Sequence, residues 1–203
     1  RSEEQISRFA VNGYQYPSLE VRPYFKRHYL YGETMAHILG YVGKMNDKDV
    51  ERLKREDKFA NYAGTNDIGK LGIERYYEDI LQGTTGFEEV EINNRGKVIR
   101  TLRSRPAVAG KSIHLTIDLA LQRYITELLS GLKGAVVVLD PKDSSVLAMV
   151  STPSYDNNLF VDGISSEDYK RLLNDPARPL YSRATQGAYP PASTVKPFIA
   201  VAA

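Results

Sequence analysis

Apolar positions along this chain recur with two periods, one near 3.6 residues and one of 2, and they predict alternating helical and extended pieces. Residues 46–55 open on Asn and Asp side chains suited to a cap and set Val50 and Leu53 on one face, the mark of a short amphipathic helix. A second helix is expected over 72–82, where Ile73, Tyr76, Tyr77, Ile80 and Leu81 form an apolar stripe and Gly83 supplies the stop. Residues 88–93 and 97–102 alternate instead, and Asn94-Arg95-Gly96 between them reads as the turn of a β-hairpin. Residues 106–110 then read as a linker.

From Ser112 the pattern changes. A strand over 112–117 should feed a helix capped by Asp118, with Leu121, Tyr124, Ile125, Leu128 and Leu129 on its apolar face and Gly131 and Gly134 beyond its end. Residues 135–139 and 146–150 are apolar runs on either side of the turn-forming Asp140-Pro141-Lys142-Asp143-Ser144-Ser145, which predicts a buried hairpin at a sheet centre. Ser165 starts a further helix, with Asp168 at the capping-box position and Asn174-Asp175-Pro176 closing it.

Composition narrows the classes. The 203 residues are 42% hydrophobic and 26% charged with no low-complexity tract, as in an ordered globular chain of one large or two small domains. A net charge of +2, with Lys and Arg interspersed among acids, argues against a nucleic-acid footprint. The absence of cysteine excludes disulfides and thiolate metal sites, and His28, His37 and His114 stand too far apart in sequence to form a ligand pair, so structural roles are expected for them. No run reaches the roughly 18 apolar residues of a membrane span, and nothing resembles a signal peptide. The chain starts at Arg1 and stops within an apolar, helix-compatible run, so both ends look like cuts, and motifs missing here are expected outside it.

Two Ser-x-x-Lys patterns occur, and roughly one is expected by chance at this length. Ser130-Gly131-Leu132-Lys133 falls at the C-terminal end of the Asp118 helix, where outward carbonyls would destabilise an oxyanion, so it is set aside. Ser193-Thr194-Val195-Lys196 has the opposite setting. Tyr189-Pro190-Pro191 forces an extended approach, and the apolar run 198–203 follows as a helix expected to be buried, with Pro197 tolerated in its first turn. The lysine lies one turn from the serine on the same face, and a desolvated lysine can accept the serine proton, which is the arrangement of an acyl-transfer nucleophile and its base. A Ser cap followed by a surface Lys remains the alternative reading of these residues alone.

The block Arg183-Ala184-Thr185-Gln186-Gly187-Ala188-Tyr189-Pro190-Pro191-Ala192-Ser193-Thr194-Val195-Lys196-Pro197-Phe198 closely resembles the surroundings of the active serine in class B penicillin-binding proteins, for which Ser-x-x-Lys is a recognised signature. The resemblance extends to Leu115-Thr116-Ile117-Asp118-Leu119-Ala120-Leu121-Gln122 and to residues 135–155. Upstream, Gly69-Lys70-Leu71-Gly72-Ile73-Glu74-Arg75-Tyr76-Tyr77-Glu78 and Ile38-Leu39-Gly40-Tyr41-Val42-Gly43 resemble the family's non-catalytic pedestal, or dimerisation, domain. Residues 46–53 and 154–165 look most like the penicillin-binding protein 2 branch of Gram-negative rods.

The resemblance implies an α+β chain in which a pedestal over residues 1–110 precedes, over 111–203, the N-terminal part of a serine β-lactamase/transpeptidase-like domain, incomplete at its C-terminus. It implies a peptidoglycan D,D-transpeptidase of cell elongation with Ser193 as acyl nucleophile and Lys196 as general base, acting on stem peptides, acylated by β-lactams and needing no cofactor or metal. The family's Ser-x-Asn and Lys-Thr-Gly elements are absent from these residues, so the isolated chain is expected to be inactive. Implied partners are a SEDS-type glycosyltransferase and scaffold proteins of the elongation machinery. The implied place is the periplasmic face of the bacterial inner membrane, with the anchor outside this stretch. An alternative from another class is a non-catalytic interaction module for those partners, with the Tyr-rich first part of the chain as its surface. A β-lactamase or penicillin-sensing receptor shares the serine and lysine but not the pedestal signature, whereas a D,D-carboxypeptidase, using water as acceptor, shares every residue named.

Overall fold

The computed structural model describes residues 3–12, 26–62, 64–94, 96 and 98–202. Helix α1, Glu3–Asn12, opens the described chain, and α2, Gly32–Leu39, follows; neither was expected from the pattern. Most of the Tyr-rich stretch before α2 lies outside the described residues. The helix expected over 46–55 forms as α3, Asp47–Arg55, after strand β1, Val42–Lys44. Its capping box is closed from both sides: the Asn46 side chain accepts from Asp49 N–H at 3.0 Å, and the Asp49 carboxylate accepts from Asn46 N–H at 3.0 Å. Leu53, on the predicted face, packs with Tyr62 and Ile68 in a small core. Ile68 belongs to β2, Asp67–Gly69, which pairs antiparallel with β1.

The helix predicted over 72–82 is present but broken at Tyr77 into α4, Gly72–Tyr76, and α5, Glu78–Leu81, and its buried face is rotated from the one expected: Ile73, Tyr77 and Leu81 of the predicted stripe are half-buried, while Tyr76 and Ile80 are exposed. Tyr76 is 80% exposed, whereas Glu74 and Glu78 are 8% and 7% exposed. The cause is polar: Glu74 pairs with Arg27 at 2.9 Å and accepts from the Tyr29 hydroxyl, and Glu78 accepts the Gly69 N–H. Burial pushes the Glu78 carboxyl above the usual carboxylate range, with Gly69 N–H and Tyr62 opposing it. Glycine is required where α4 meets the end of α2. Gly40 (φ 72°) and Gly72 (φ 59°) both lie in the left-handed region, and a Cβ on either would overlap backbone of the other segment. Gly83, φ 70°, terminates α5 as predicted.

Strands β3, Phe87–Ile92, and β4, Val98–Arg105, form the expected hairpin; its turn residue Arg95 and the first residue expected in its second strand, Lys97, lie outside the described residues. One face is ionic, with Glu91 paired to Arg100 at 2.6 Å and Glu89 facing Arg103 at 3.8 Å. The expected linker over 106–110 is pinned: Val108 exchanges two backbone hydrogen bonds with Thr84 (2.8 and 2.9 Å), and Lys111 N–H donates to Ile80 at 2.8 Å.

Helix α6, Leu119–Leu128, starts where Asp118 predicts, its carboxylate accepting from Leu121 N–H at 3.0 Å. No strand forms over 112–117. Near β6, Thr116 Oγ1 donates to Val146 O and, just past the segment, Asp118 N–H donates to Leu147 O, and among the described residues no ladder develops from them. β5, Gly134–Leu139, and β6, Val146–Thr152, form the predicted hairpin, but as a two-stranded sheet rather than a buried centre. Its inner side packs Val136, Val138, Ala148 and Val150 on Ile125 of α6, while Val137 and Leu139 remain 47% and 53% exposed. A third core joins Ala36, Tyr155 and Phe160, tying α2 to the turn after β6. Ser165 caps α7, Ser166–Asn174, accepting from Asp168 N–H at 3.0 Å.

Candidate active site

The chain enters the candidate site from β6. After α7 it forms the short helix α8, Arg183–Gln186, then passes through Tyr189 and Pro190 to Pro191, whose backbone is already helical (φ −71°, ψ −14°), then a 3₁₀ turn, Ala192–Val195, continuous with α9, Lys196–Ala202. A residue before proline is kept out of the helical region, so Tyr189 and Pro190 approach extended as expected; Pro191, which no proline follows, turns into the helical region and its carbonyl is the acceptor that starts the turn. Thr194 N–H donates to it at 3.1 Å, and the Thr194 hydroxyl donates to it as well.

Ser193 therefore sits at a helix start, as its sequence setting predicts. Lys196 N–H donates to Ser193 O, so the two residues are joined across one turn by the backbone. Among the described residues no hydrogen bond links the Ser193 hydroxyl to the Lys196 amine, and both residues are exposed. The burial expected of this helix is not found: Phe198 is 75%, Ile199 58% and Val201 91% exposed. The physical reason is that the apolar side of α9 meets none of the cores described above, so the lysine is not desolvated by the residues present. Pro197, second in α9, stands in the first turn as expected.

Ala192 was passed over in the sequence. Its φ of 47° is left-handed, a region that costs an L residue about 1–2 kcal/mol and that a β-branched side chain all but excludes. The bend aims the residue that follows it. If Ser193 is the acyl nucleophile that the resemblance implies, Ala192→Gly in the full-length protein should preserve or raise acylation at position 193, and Ala192→Val should slow it about tenfold, corresponding to about 1.4 kcal/mol. Equal acylation rates for all three would show that the bend is not needed.

The other Ser-x-x-Lys lies where it was expected, past the end of α6. Ser130 N–H donates to Glu127 O, Gly131 has φ 74°, and Lys133 reaches Pro176 O at 3.4 Å, all C-terminal helix chemistry. Of the histidines, His37 packs edge-on against Tyr155 at 5.4 Å and is held below the usual histidine range by burial, while His28 and His114 are exposed. Among the described residues no cluster of His, Cys, Asp and Glu could hold a metal ion. No helix there is long and apolar enough to cross a membrane.

Comparison with known proteins adds to this geometry. The family model for the penicillin-binding protein dimerisation domain matches residues 1–115, and that for the penicillin-binding protein transpeptidase domain matches residues 134–203. The chain is 99% identical over 202 residues to the peptidoglycan D,D-transpeptidase MrdA of Haemophilus influenzae, covering 100% of the chain and 31% of that relative. It is 64% identical to the Escherichia coli K12 protein of the same name, covering 100% of the chain and 32% of that relative. It thus spans about a third of the length of these curated relatives. Among solved structures, Pseudomonas aeruginosa PBP2 in complex with WCK 5153 matches 90% of the chain and 36% of its own at 45% identity, TM-score 0.74. The Helicobacter pylori complex between PBP2 and MreC matches 98% of the chain and 36% of its own at 28% identity, TM-score 0.83. The fold is accordingly a mixed α+β arrangement of a dimerisation-type domain and the N-terminal part of a transpeptidase domain.

Proposed function

The chain belongs to the penicillin-binding protein family, and from that premise we propose that the full-length protein carrying it is a peptidoglycan D,D-transpeptidase with Ser193 as its acyl nucleophile. The observation that carries this reading is the position of Ser193 and Lys196 one turn apart at the entry of α9, within the stretch matched by the transpeptidase model. A hydroxyl at a helix start gains from the positive end of the helix as negative charge develops on it. In the proposed reaction the Lys196 amine takes the Ser193 proton, and Ser193 Oγ attacks the carbonyl between the two terminal D-alanines of a stem peptide. The C–N bond breaks, the leaving D-alanine amine takes up a proton, and an ester to Ser193 remains. The amine of a neighbouring stem peptide attacks that ester and forms the cross-link, restoring the hydroxyl. A β-lactam is attacked in the same way, but its opened ring stays attached. Water as acceptor would give a carboxypeptidase through the same ester.

On the same reading residues 1–110 are the pedestal and 111–203 the opening of the transpeptidase domain. The protein works in cell elongation at the periplasmic face of the inner membrane. A second reading, compatible with the first, is that the pedestal docks partners: a SEDS-type glycosyltransferase and a scaffold protein. Its support is that the Helicobacter pylori PBP2 neighbour is in complex with MreC. Incubating the full-length protein with fluorescent penicillin and mapping the adduct by peptide mass spectrometry tests the first reading. The label is expected on the peptide carrying Ser193; an adduct on any other serine, or none, overturns it.

A further inference from the structure

Arg183 is a buried cation without an anion. It is 8% exposed, and among the described residues no carboxylate pairs with it. A guanidinium taken out of water must find acceptors, and this one finds backbone: Nη2 donates to Ala177 O at 2.6 Å, and Nη1 to Arg178 O at 3.3 Å and Tyr181 O at 3.4 Å. Its own N–H donates to the Ser151 hydroxyl of β6 at 2.8 Å, which fixes α8 to the sheet. The planar fork of arginine suits several carbonyls at once, as a lysine ammonium would not.

These bonds close a knot at the base of the serine turn. The Arg183 carbonyl accepts from Gly187 N–H at 3.2 Å, the Tyr181 hydroxyl donates to Gln186 O at 2.6 Å, and Thr185 Oγ1 donates to Ser182 Oγ at 2.8 Å. A side chain on Gly187 would overlap both the Arg183 carbonyl and the Tyr189 ring, so the Tyr189 ring, 65% exposed on its outer side, lies against the backbone of the knot at Gly187. Beyond it come only Pro190 and Pro191, whose rings fix φ, and Ala192, at φ 47°, and then Ser193. Stiff links carry an error at the base to the tip.

We propose that Arg183 is a positioning residue for acyl transfer, setting the orientation of the Ser193 turn through the carbonyls of residues 177–181 and the Tyr189 seat. The inference rests on the functional reading of Ser193 above. Its test is made in the full-length protein, with the acylation rate constant k2 and the penicillin dissociation constant Ks separated by stopped-flow labelling. Arg183→Lys keeps the charge and loses the fork. Expected are a k2 lower by about tenfold to a hundredfold, a Ks within about twofold, and partial recovery of k2 in Arg183→Ala by added ethylguanidinium. A residue that only stabilises the fold would lower Tm and leave k2 of the folded molecules alone. Should either variant lose its cooperative melt, Ser151→Ala, which removes only the acceptor for Arg183 N–H, decides with an expected fall in k2 of about threefold. Unchanged k2 in the folded variant, with normal acylation of the unsubstituted protein, overturns the inference alone. No adduct at Ser193 in the unsubstituted protein overturns the functional reading and this inference with it.

Discussion

In the full-length protein Ser193→Ala should abolish covalent penicillin labelling, and Lys196→Met should slow it by about 10³-fold or more, corresponding to about 4 kcal/mol of lost transition-state stabilisation. The two losses have different origins. Alanine removes the atom that forms the ester, so no adduct survives denaturation. Methionine keeps the length and apolar stem of lysine but cannot accept a proton, so the hydroxyl must attack without its base. Because nucleophile and base act as one unit, the double variant should lose little more than Ser193→Ala alone. Ser130→Ala supplies the contrast: that serine stands beyond the carbonyl end of α6, and its loss should leave labelling unchanged. Labelling that persists in Ser193→Ala, or disappears in Ser130→Ala, would move the nucleophile to another place in the chain.

Local signals were legible in the sequence, and long-range partners were not. Asn46, Asp118 and Ser165 each cap the helix they precede, because a cap is a contact between residues three apart and is written within one short window. The Ser193-x-x-Lys196 turn was readable for the same reason. The buried face of α4 and α5 was read only in part: Ile73, Tyr77 and Leu81 do turn inward, but Glu74 is satisfied by Arg27 and Tyr29, far away in the chain, and nothing in the stripe hinted that Glu74 would be buried and Tyr76 and Ile80 left out. On α6 the predicted stripe holds at Leu121, Ile125 and Leu129, which pack on the sheet, but Tyr124 and Leu128 are about 60% exposed and Gln122 is buried beside Ile125. Arg183 was quoted within the motif but given no role. A signal was available there: from Pro176 to the last residue the chain contains no Asp or Glu, so an arginine folded into it has to look to carbonyls. The expected burial of α9 failed because an apolar helix states what it needs, not which surface supplies it.

Gln122→Leu is the second large effect expected, on stability rather than on chemistry. Gln122 is 1% exposed, and its amide is fully used: Nε2 donates to Thr34 O at 3.0 Å and to Met149 O at 2.9 Å, and Oε1 accepts from Met149 N–H at 2.8 Å. One side chain on α6 thus satisfies backbone of both β6 and α2. Leucine fills the same space and leaves the Met149 N–H and carbonyl unpaired in a site closed to water, while Thr34 O keeps its bond within α2; at about 1–3 kcal/mol for each buried group left unsatisfied, with partial relaxation, the loss should be about 2–4 kcal/mol. Gln122→Glu separates volume from hydrogen bonding. An ionised glutamate still accepts from Met149 N–H but turns its other oxygen toward two carbonyls, so burial and those carbonyls should hold its pKa above the unfolded value of about 4.3. With the folded pKa raised, the variant is penalised as pH rises through that window, and it recovers as pH falls because the neutral acid can again donate one hydrogen bond. Hydrogen exchange at the Met149 amide, followed with Tm from pH 7.5 down to about 4.5, reads both effects. Fast exchange in Gln122→Leu at every pH, and protection returning on acidification in Gln122→Glu, are the expected results. Protection equal to that of the unsubstituted protein in both variants would mean that α2, α6 and β6 are held together by their apolar contacts alone.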